Sequence, residues 1–178
     1  MEATMALFQE VDYHQMTMEG VAARARVGKS TVYRWWSTKA SLVIDAVDVA
    51  LTAMRQGPIE VTGDSATVVR ELVRRIVEAV ASPAGRMIAA VSGDLRNDLA
   101  GQRQLAAMLG PHRAAGSSIV YALISRGDLP HDLDADLMLD LIAGTVLSRI
   151  LLGRHPTPAL VDQLTDLVLE GRLPRLSS

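Results

Sequence analysis

Apolar residues recur along this chain at helical rather than strand spacing, and short polar breaks divide them into a succession of helices. Val21, Ala22 and Ala25 share a face of a segment that opens at Thr17, a good N-cap. Val32 and Trp36, four apart, mark the inward side of a second segment that starts at Lys29, and Ala25-Arg26-Val27-Gly28 interrupts the run between the two. Ser37-Thr38 then caps a longer helix to about Met54, with Leu42, Val43, Ala46, Val47, Ala50 and Leu51 on its apolar side and Gln56-Gly57-Pro58 as its stop. Further helices are predicted at about 64–81 (Val69, Leu72, Val73, Ile76, Val77, Val80) and 84–95, and a pair at about 99–109 and 111–126 is divided at Gly110-Pro111. Period-two alternation is nowhere sustained, so the fold class is all-α.

The last two segments are broader in their hydrophobicity. From an Asp134 cap to about Gly153, Leu137, Met138, Leu141, Ile142, Val146, Leu147, Ile150 and Leu151 exceed one narrow stripe, and a helix apolar on two sides needs two partners. After Pro156 the tendency repeats with Leu160, Val161, Leu164, Leu167 and Val168. One of the partners is expected to be a second subunit, with Leu137, Leu141, Val146, Ile150, Leu160, Leu164, Leu167 and Val168 at the interface.

The segment from Thr17 to Lys39 carries the chemistry. Two short helices meeting at a tight turn, the second basic, hydroxyl-rich and aromatic, are what a DNA-reading helix-turn-helix needs. With Val32 and Trp36 turned inward, Lys29, Ser30, Thr31, Tyr33 and Arg34 point outward, within reach of base edges or phosphates. Lys39 lies beside the N-terminus of the third helix, where backbone N–H groups and a cation together suit a phosphate oxygen. Net charge is only −2, yet the chain's lysines, Lys29 and Lys39, both fall in this segment. Residues 17–41 hold five cations (Arg24, Arg26, Lys29, Arg34, Lys39) against one acid, Glu19, a positive patch on an otherwise neutral to acidic chain.

These residues resemble the DNA-binding domain of the TetR family of bacterial transcription regulators. The likeness runs from about Ala3 to Ala46: a hydrophobic first helix (Ala6, Leu7, Phe8), Thr17, Val21-Ala22-x-x-Ala25, Val27, Thr31-Val32-Tyr33, an aromatic at Trp35, a hydrophobe at Trp36, then Lys39 and Leu42. The resemblance implies that Lys29, Ser30, Thr31 and Arg34 lie at the base-facing surface while Thr17, Tyr33, Trp35 and Lys39 contact phosphates. It also implies a three-helix helix-turn-helix domain at residues 1–46 joined to a helical effector-binding and dimerisation bundle at 47–178, in which the last two helices pair with those of a twofold mate. The expected function is that of a sequence-specific regulator, usually a repressor in this family, on a near-palindromic double-stranded operator. Two departures stand out. The family usually has Gly in the turn where this chain has Arg26, with Gly28 two residues later, so either the turn pivots differently or Arg26 carries a strained backbone. Met1 falls almost inside the first helix, so either the natural start lies upstream or a DNA-binding arm is missing.

Composition bounds the rest. A hydrophobic fraction of 49% and a mean hydropathy of +0.19 supply a core; Asp140 and Arg149 interrupt the strongest membrane-length candidate, and no signal peptide is evident, which makes the cytoplasm the expected location. The absence of cysteine excludes disulfides, thiolate zinc sites and Cys nucleophiles. His14, His112, His131 and His155 are scattered, and His131-Asp132-Leu133-Asp134-Ala135-Asp136 lacks the Gly and terminal acid of a calcium loop, so it reads as a capped helix start. No metal, cofactor or enzymatic activity is expected. A small-molecule effector, apolar or amphipathic, is expected among the middle helices, with Met87, Leu105, Met108, His112, Tyr121, Leu123 and Ile124 as candidate lining, although Met and Leu at helical spacing serve equally as ordinary core. The alternatives are a helix-turn-helix module serving an enzyme, and a helical dimerisation or ligand-binding protein whose DNA-binding head has decayed.

Overall fold

Helix boundaries follow the capping chemistry written in the chain. The computed structural model describes residues 1–54 and 56–170. Among these are nine helices: α1 (Glu2–Glu10), α2 (Met18–Arg24), α3 (Lys29–Trp35), α4 (Lys39–Ala53), α5 (Ser65–Ala81), α6 (Pro83–Leu95), α7 (Leu99–Ser125), α8 (Ala135–Leu151) and α9 (Pro158–Leu169). Side-chain oxygens of Thr17, Thr38, Ser82 and Asp134 accept the backbone N–H three residues on, from Gly20, Ser41, Gly85 and Leu137, satisfying a donor that each new helix would leave open. Asp134 therefore acts as a helix cap, as the sequence suggested.

The chain packs as two units, Met1–Arg55 with Ser82–Leu109, and Gln56–Ala81 with Gly110–Ser178. In the first, Leu42, Val43, Ile44 and Val47 of α4 share a core with Met87, Val91 and Leu95 of α6, and with Tyr13, Met16, Val21 and Val32 from the N-terminal helices and their connections. In the second, α5 packs against both α8 and α9: Val69, Leu72 and Val73 join Met138, Ile142 and Val146, and Leu160, Leu164 and Val168. Among the described residues no helix is long and apolar enough to cross a membrane.

One expected boundary is absent. α7 runs unbroken through Gly110-Pro111, with proline in its interior. Proline normally drives the preceding residue out of helical geometry by clashing with its Cβ, but that residue is glycine and has no Cβ. The pair costs one backbone hydrogen bond without forcing a stop.

Candidate nucleic-acid interface

α2 and α3 build a helix-turn-helix whose turn is set by Arg26. That residue has φ +55°, whereas Gly28 lies at φ −66° and N-caps α3. The N–H of Val27 donates to the Ala22 carbonyl at 3.0 Å and that of Arg26 to Ala23 at 3.1 Å, the two bonds of a Schellman ending with its left-handed residue at 26. Of the two outcomes open at this turn, the strained arginine is the one realised. α7 and α8 end with the same pair of bonds but place Gly127 (φ +81°) and Gly153 (φ +71°) at that position.

α2 is pressed close to its neighbours. A Cβ on Gly20 would stand 3.2 Å from the Thr17 hydroxyl and 3.3 Å from Leu7. Arg24 reaches back to α1 and holds Glu10 through its two terminal guanidinium nitrogens, each at 2.6 Å.

α3 is anchored on one side and open on the other. Val32 is buried, while Lys29, Ser30, Tyr33, Arg34 and Trp35 are exposed and Thr31 is half-buried. Trp35 stands out at 70% exposure, with the Arg34 guanidinium 5.9 Å from its ring centroid. The Tyr33 hydroxyl donates to Glu19 of α2 at 3.0 Å; that bond, then desolvation and the Glu19 charge, holds the phenol above its ordinary pKa. Among the described residues, Arg26, Lys29 and Arg34 make no ion pair with an acid, which leaves three cations beside the exposed face of α3. The inward end is fixed by bonds that the sequence did not disclose. The Trp36 indole N–H donates to Asp45 at 2.7 Å, and the Gln104 side-chain amide donates to the other Asp45 oxygen at 2.7 Å and to the Ser41 carbonyl at 3.1 Å. A partly buried indole needs an acceptor, which is the one hint the sequence offered.

Thr17 and Lys39 do structural work at this surface. Thr17 caps α2, and Lys39, first residue of α4, donates to the Tyr13 carbonyl at 2.9 Å with its ammonium 4.0 Å from the Tyr13 ring centroid. Tyr13 is itself buried and donates its hydroxyl to Asp94 at 2.5 Å. Burial first, then the bond to Asp94, raises its pKa, so the phenol stays a donor throughout the neutral range.

Solved and sequenced relatives share this fold. Residues 1–46 match the description "Bacterial regulatory proteins, tetR family", and residues 59–168 match "Tetracyclin repressor-like, C-terminal domain". The chain belongs to the TetR family. An HTH-type transcriptional regulator of Mycobacterium tuberculosis is 31% identical over 177 residues, covering 97% of this chain and 85% of its own. The crystal structure of the TetR family transcription regulator SCO0332 superposes with a TM-score of 0.73 at 26% identity, over 97% of this chain and 95% of that one. The regulator FadR from Bacillus subtilis, solved in complex with stearoyl-CoA, shares the fold with a TM-score of 0.69 at 17% identity, over 96% of each chain. This TetR-family protein is thus a DNA-binding transcriptional regulator, of a family that works as dimers on operator DNA and binds small-molecule ligands.

The remaining sequence-selected residues of the regulator fall into separate places. Met87, Leu105 and Met108 lie in the core of the first unit; Leu123 and Ile124 pack in the second, where His112 is half-buried and Tyr121 is exposed. Among the dimer candidates, Val146, Leu160, Leu164 and Val168 are buried within the protomer's own core and Ile150 packs against it. Leu137, Leu141 and Leu167 keep 37–39% of their surface exposed and are the members with area to offer a partner.

Proposed function

We propose that this protein is a dimeric repressor that reads its operator with Lys29, Ser30, Thr31 and Arg34, grips phosphates with Thr17, Tyr33, Trp35 and Lys39, and is released by an amphipathic small molecule. The observation that carries it is the open face of α3, whose polar, cationic and aromatic side chains are exposed while Val32 and Trp36 hold the helix to α4. Residues 1–46 act as the reading head and 47–178 as the effector and dimerisation region. The protein works in the cytoplasm and catalyses nothing.

Dimerisation through α8 and α9 is supported by Leu137, Leu141 and Leu167. On α8 a shallow depression of about 400 Å³ is lined by Asp140, Leu141, Gly144, Thr145, Ser148 and Arg149, and the Arg149 Nε is buried without a hydrogen-bond partner among the described residues. A second copy seated there would cover the leucines and bring an acceptor to that nitrogen. The effector class rests on the family and on the acyl-CoA bound by a protein of the same fold, since five of the seven lining candidates are divided between two cores and His112 and Tyr121 lie in neither.

Fluorescence anisotropy on duplexes tiling the DNA upstream of the protein's own gene tests the proposal. Salt-sensitive binding to one near-palindromic duplex, at two protomers per site, is the expected result. Lys29→Ala and Thr31→Ala should each cost about 1–3 kcal/mol at particular base pairs, whereas Tyr33→Phe should weaken all sequences alike. Equal losses on operator and scrambled DNA for all three variants would show the sorting of contacts to be wrong.

A further inference from the structure

Lys39 is held in place by the protein, and what holds it leads away from the DNA-facing surface. Its ammonium rests on the Tyr13 ring and donates to the Tyr13 carbonyl. Tyr13 sits in the α1–α2 connection, and that same carbonyl accepts the Met16 N–H at 3.2 Å, which closes a turn around it. The hydroxyl at the far end of the ring is bound by Asp94, an exposed residue near the end of α6, 81 positions along the chain. One carboxylate therefore fixes the ring, and the ring and its carbonyl together fix the lysine.

We propose that Asp94 is a positioning residue for DNA binding: by clamping the Tyr13 hydroxyl it holds the Lys39 ammonium beside the N-terminus of α4, ready for a phosphate. This rests on the reading of Lys39 as a phosphate contact. A lysine that is ordered before DNA arrives loses little side-chain freedom on binding, and one free to swing must be ordered at that moment. Only one of the three ammonium donors is engaged by Tyr13, so the others remain for the phosphate oxygen. Asp94 bonds the Tyr13 hydroxyl while Lys39 bonds the Tyr13 carbonyl, so its influence on the lysine passes through the ring.

Salt dependence separates positioning from contact. Affinity of the full-length protein for a mixed-sequence duplex is measured over a range of salt for Lys39→Ala, Asp94→Ala, Asp94→Asn, Tyr13→Phe and the Lys39→Ala/Asp94→Ala double variant, with circular dichroism as the folding control. Lys39→Ala should lower the slope of log affinity against log salt by about 0.9 through loss of one phosphate contact. Asp94→Ala and Tyr13→Phe should weaken binding about two- to twelvefold, the cost of ordering one long side chain, with the slope kept because the contact still forms in the complex. Asp94→Asn, whose amide oxygen accepts the same phenol, should recover most of the loss, and Asp94→Ala should add nothing once Lys39 is gone. Equal effects of Asp94→Ala with and without Lys39 would reduce the clamp to general stability, and tighter binding would make Asp94 a repulsive charge; either overturns the proposal. A Lys39→Ala slope equal to wild type would remove the phosphate reading and this proposal with it. A lowered Lys39→Ala slope beside a silent Asp94→Ala and Tyr13→Phe would remove the positioning role alone.

Discussion

Replacing Arg26 by glycine should stabilise the protein, although it deletes a charged side chain from the DNA-binding head. The backbone there is left-handed, at φ +55°. In that region the Cβ of an L-residue crowds the following carbonyl, at a cost of roughly 1–2 kcal/mol. Glycine removes that cost but adds freedom to the unfolded chain, opposing the gain by roughly 0.5–1 kcal/mol. The balance is a stabilisation of roughly 0.5–1 kcal/mol, or about 1–4 °C in Tm for a chain of this size. Arg26 is exposed and makes no ion pair among the described residues, so no lost contact offsets the gain.

The two other Schellman endings supply the reverse experiment. A Cβ built on Gly127 or Gly153 would meet nothing within 4 Å, so alanine at either position reports the same backbone balance in reverse and should destabilise by roughly 0.5–1 kcal/mol. Thermal and urea unfolding without DNA, at one fixed protomer concentration, measures all three variants. If Arg26→Gly is no more stable than wild type while Gly127→Ala loses the expected amount, the left-handed turn at Arg26 is not a store of strain.

Three further outcomes are expected. Trp36→Phe should cost about 1–3 kcal/mol in urea unfolding, because Asp45 keeps Gln104 but loses its indole donor; a change below about 0.5 kcal/mol would make that bond incidental. The bonds from Arg74, and then those from Arg75, hold the Glu71 carboxyl down at about 2 from an ordinary 4.5, so the stabilisation they give is complete above the ordinary value and is lost as pH falls from 4.5 towards 2. Glu71→Gln should flatten stability across that window, and an unchanged acid limb would assign the acid sensitivity to other groups. Leu141→Arg should give a monomer in sedimentation at low micromolar concentration with its helical spectrum intact, and a persisting dimer would put the interface elsewhere.

What could be read in the chain was what short-range rules determine. Thr17, Thr38 and Asp134 announce helix starts because a hydroxyl or carboxylate three residues before a free N–H is the local solution to an unpaired donor. Val32 and Trp36 fix the inward side of α3 by spacing alone. Gly110-Pro111 misled for a related reason: each residue is a breaker by itself, yet the glycine removes the clash through which the proline would act. Tyr13, Asp94, Asp45 and Gln104 were invisible because their partners lie between 9 and 81 positions away, and nothing local marks Tyr13, set in a polar stretch, as buried. The effector candidates illustrate the same limit, since methionines and leucines at helical spacing show that a core exists without showing which of two cores each residue joins.

The placement of these long-range bonds bears on how such a regulator can change its operator. α3 has only seven residues, too few to be stable alone, so its direction is set by what holds its ends. The turn through Arg26 leads into one end, Val32 anchors the middle, and the Trp36–Asp45–Gln104 chain fixes the other. None of these groups lies on the exposed face proposed to read bases. Conversely, Lys29 and Ser30 are exposed, so substitutions there should stay within about 0.5 kcal/mol of wild-type stability. Aim and content therefore fall to different residues: Trp36, Asp45 and Gln104 hold the end of α3, and Lys29, Ser30, Thr31 and Arg34 are the residues proposed to read bases. Base preference can then be altered by substitution on one face without re-aiming the helix, whereas a change at Gln104, which bonds Ser41 and Asp45 of α4, should weaken operator binding by tilting α3 while leaving the ranking of base pairs as it was.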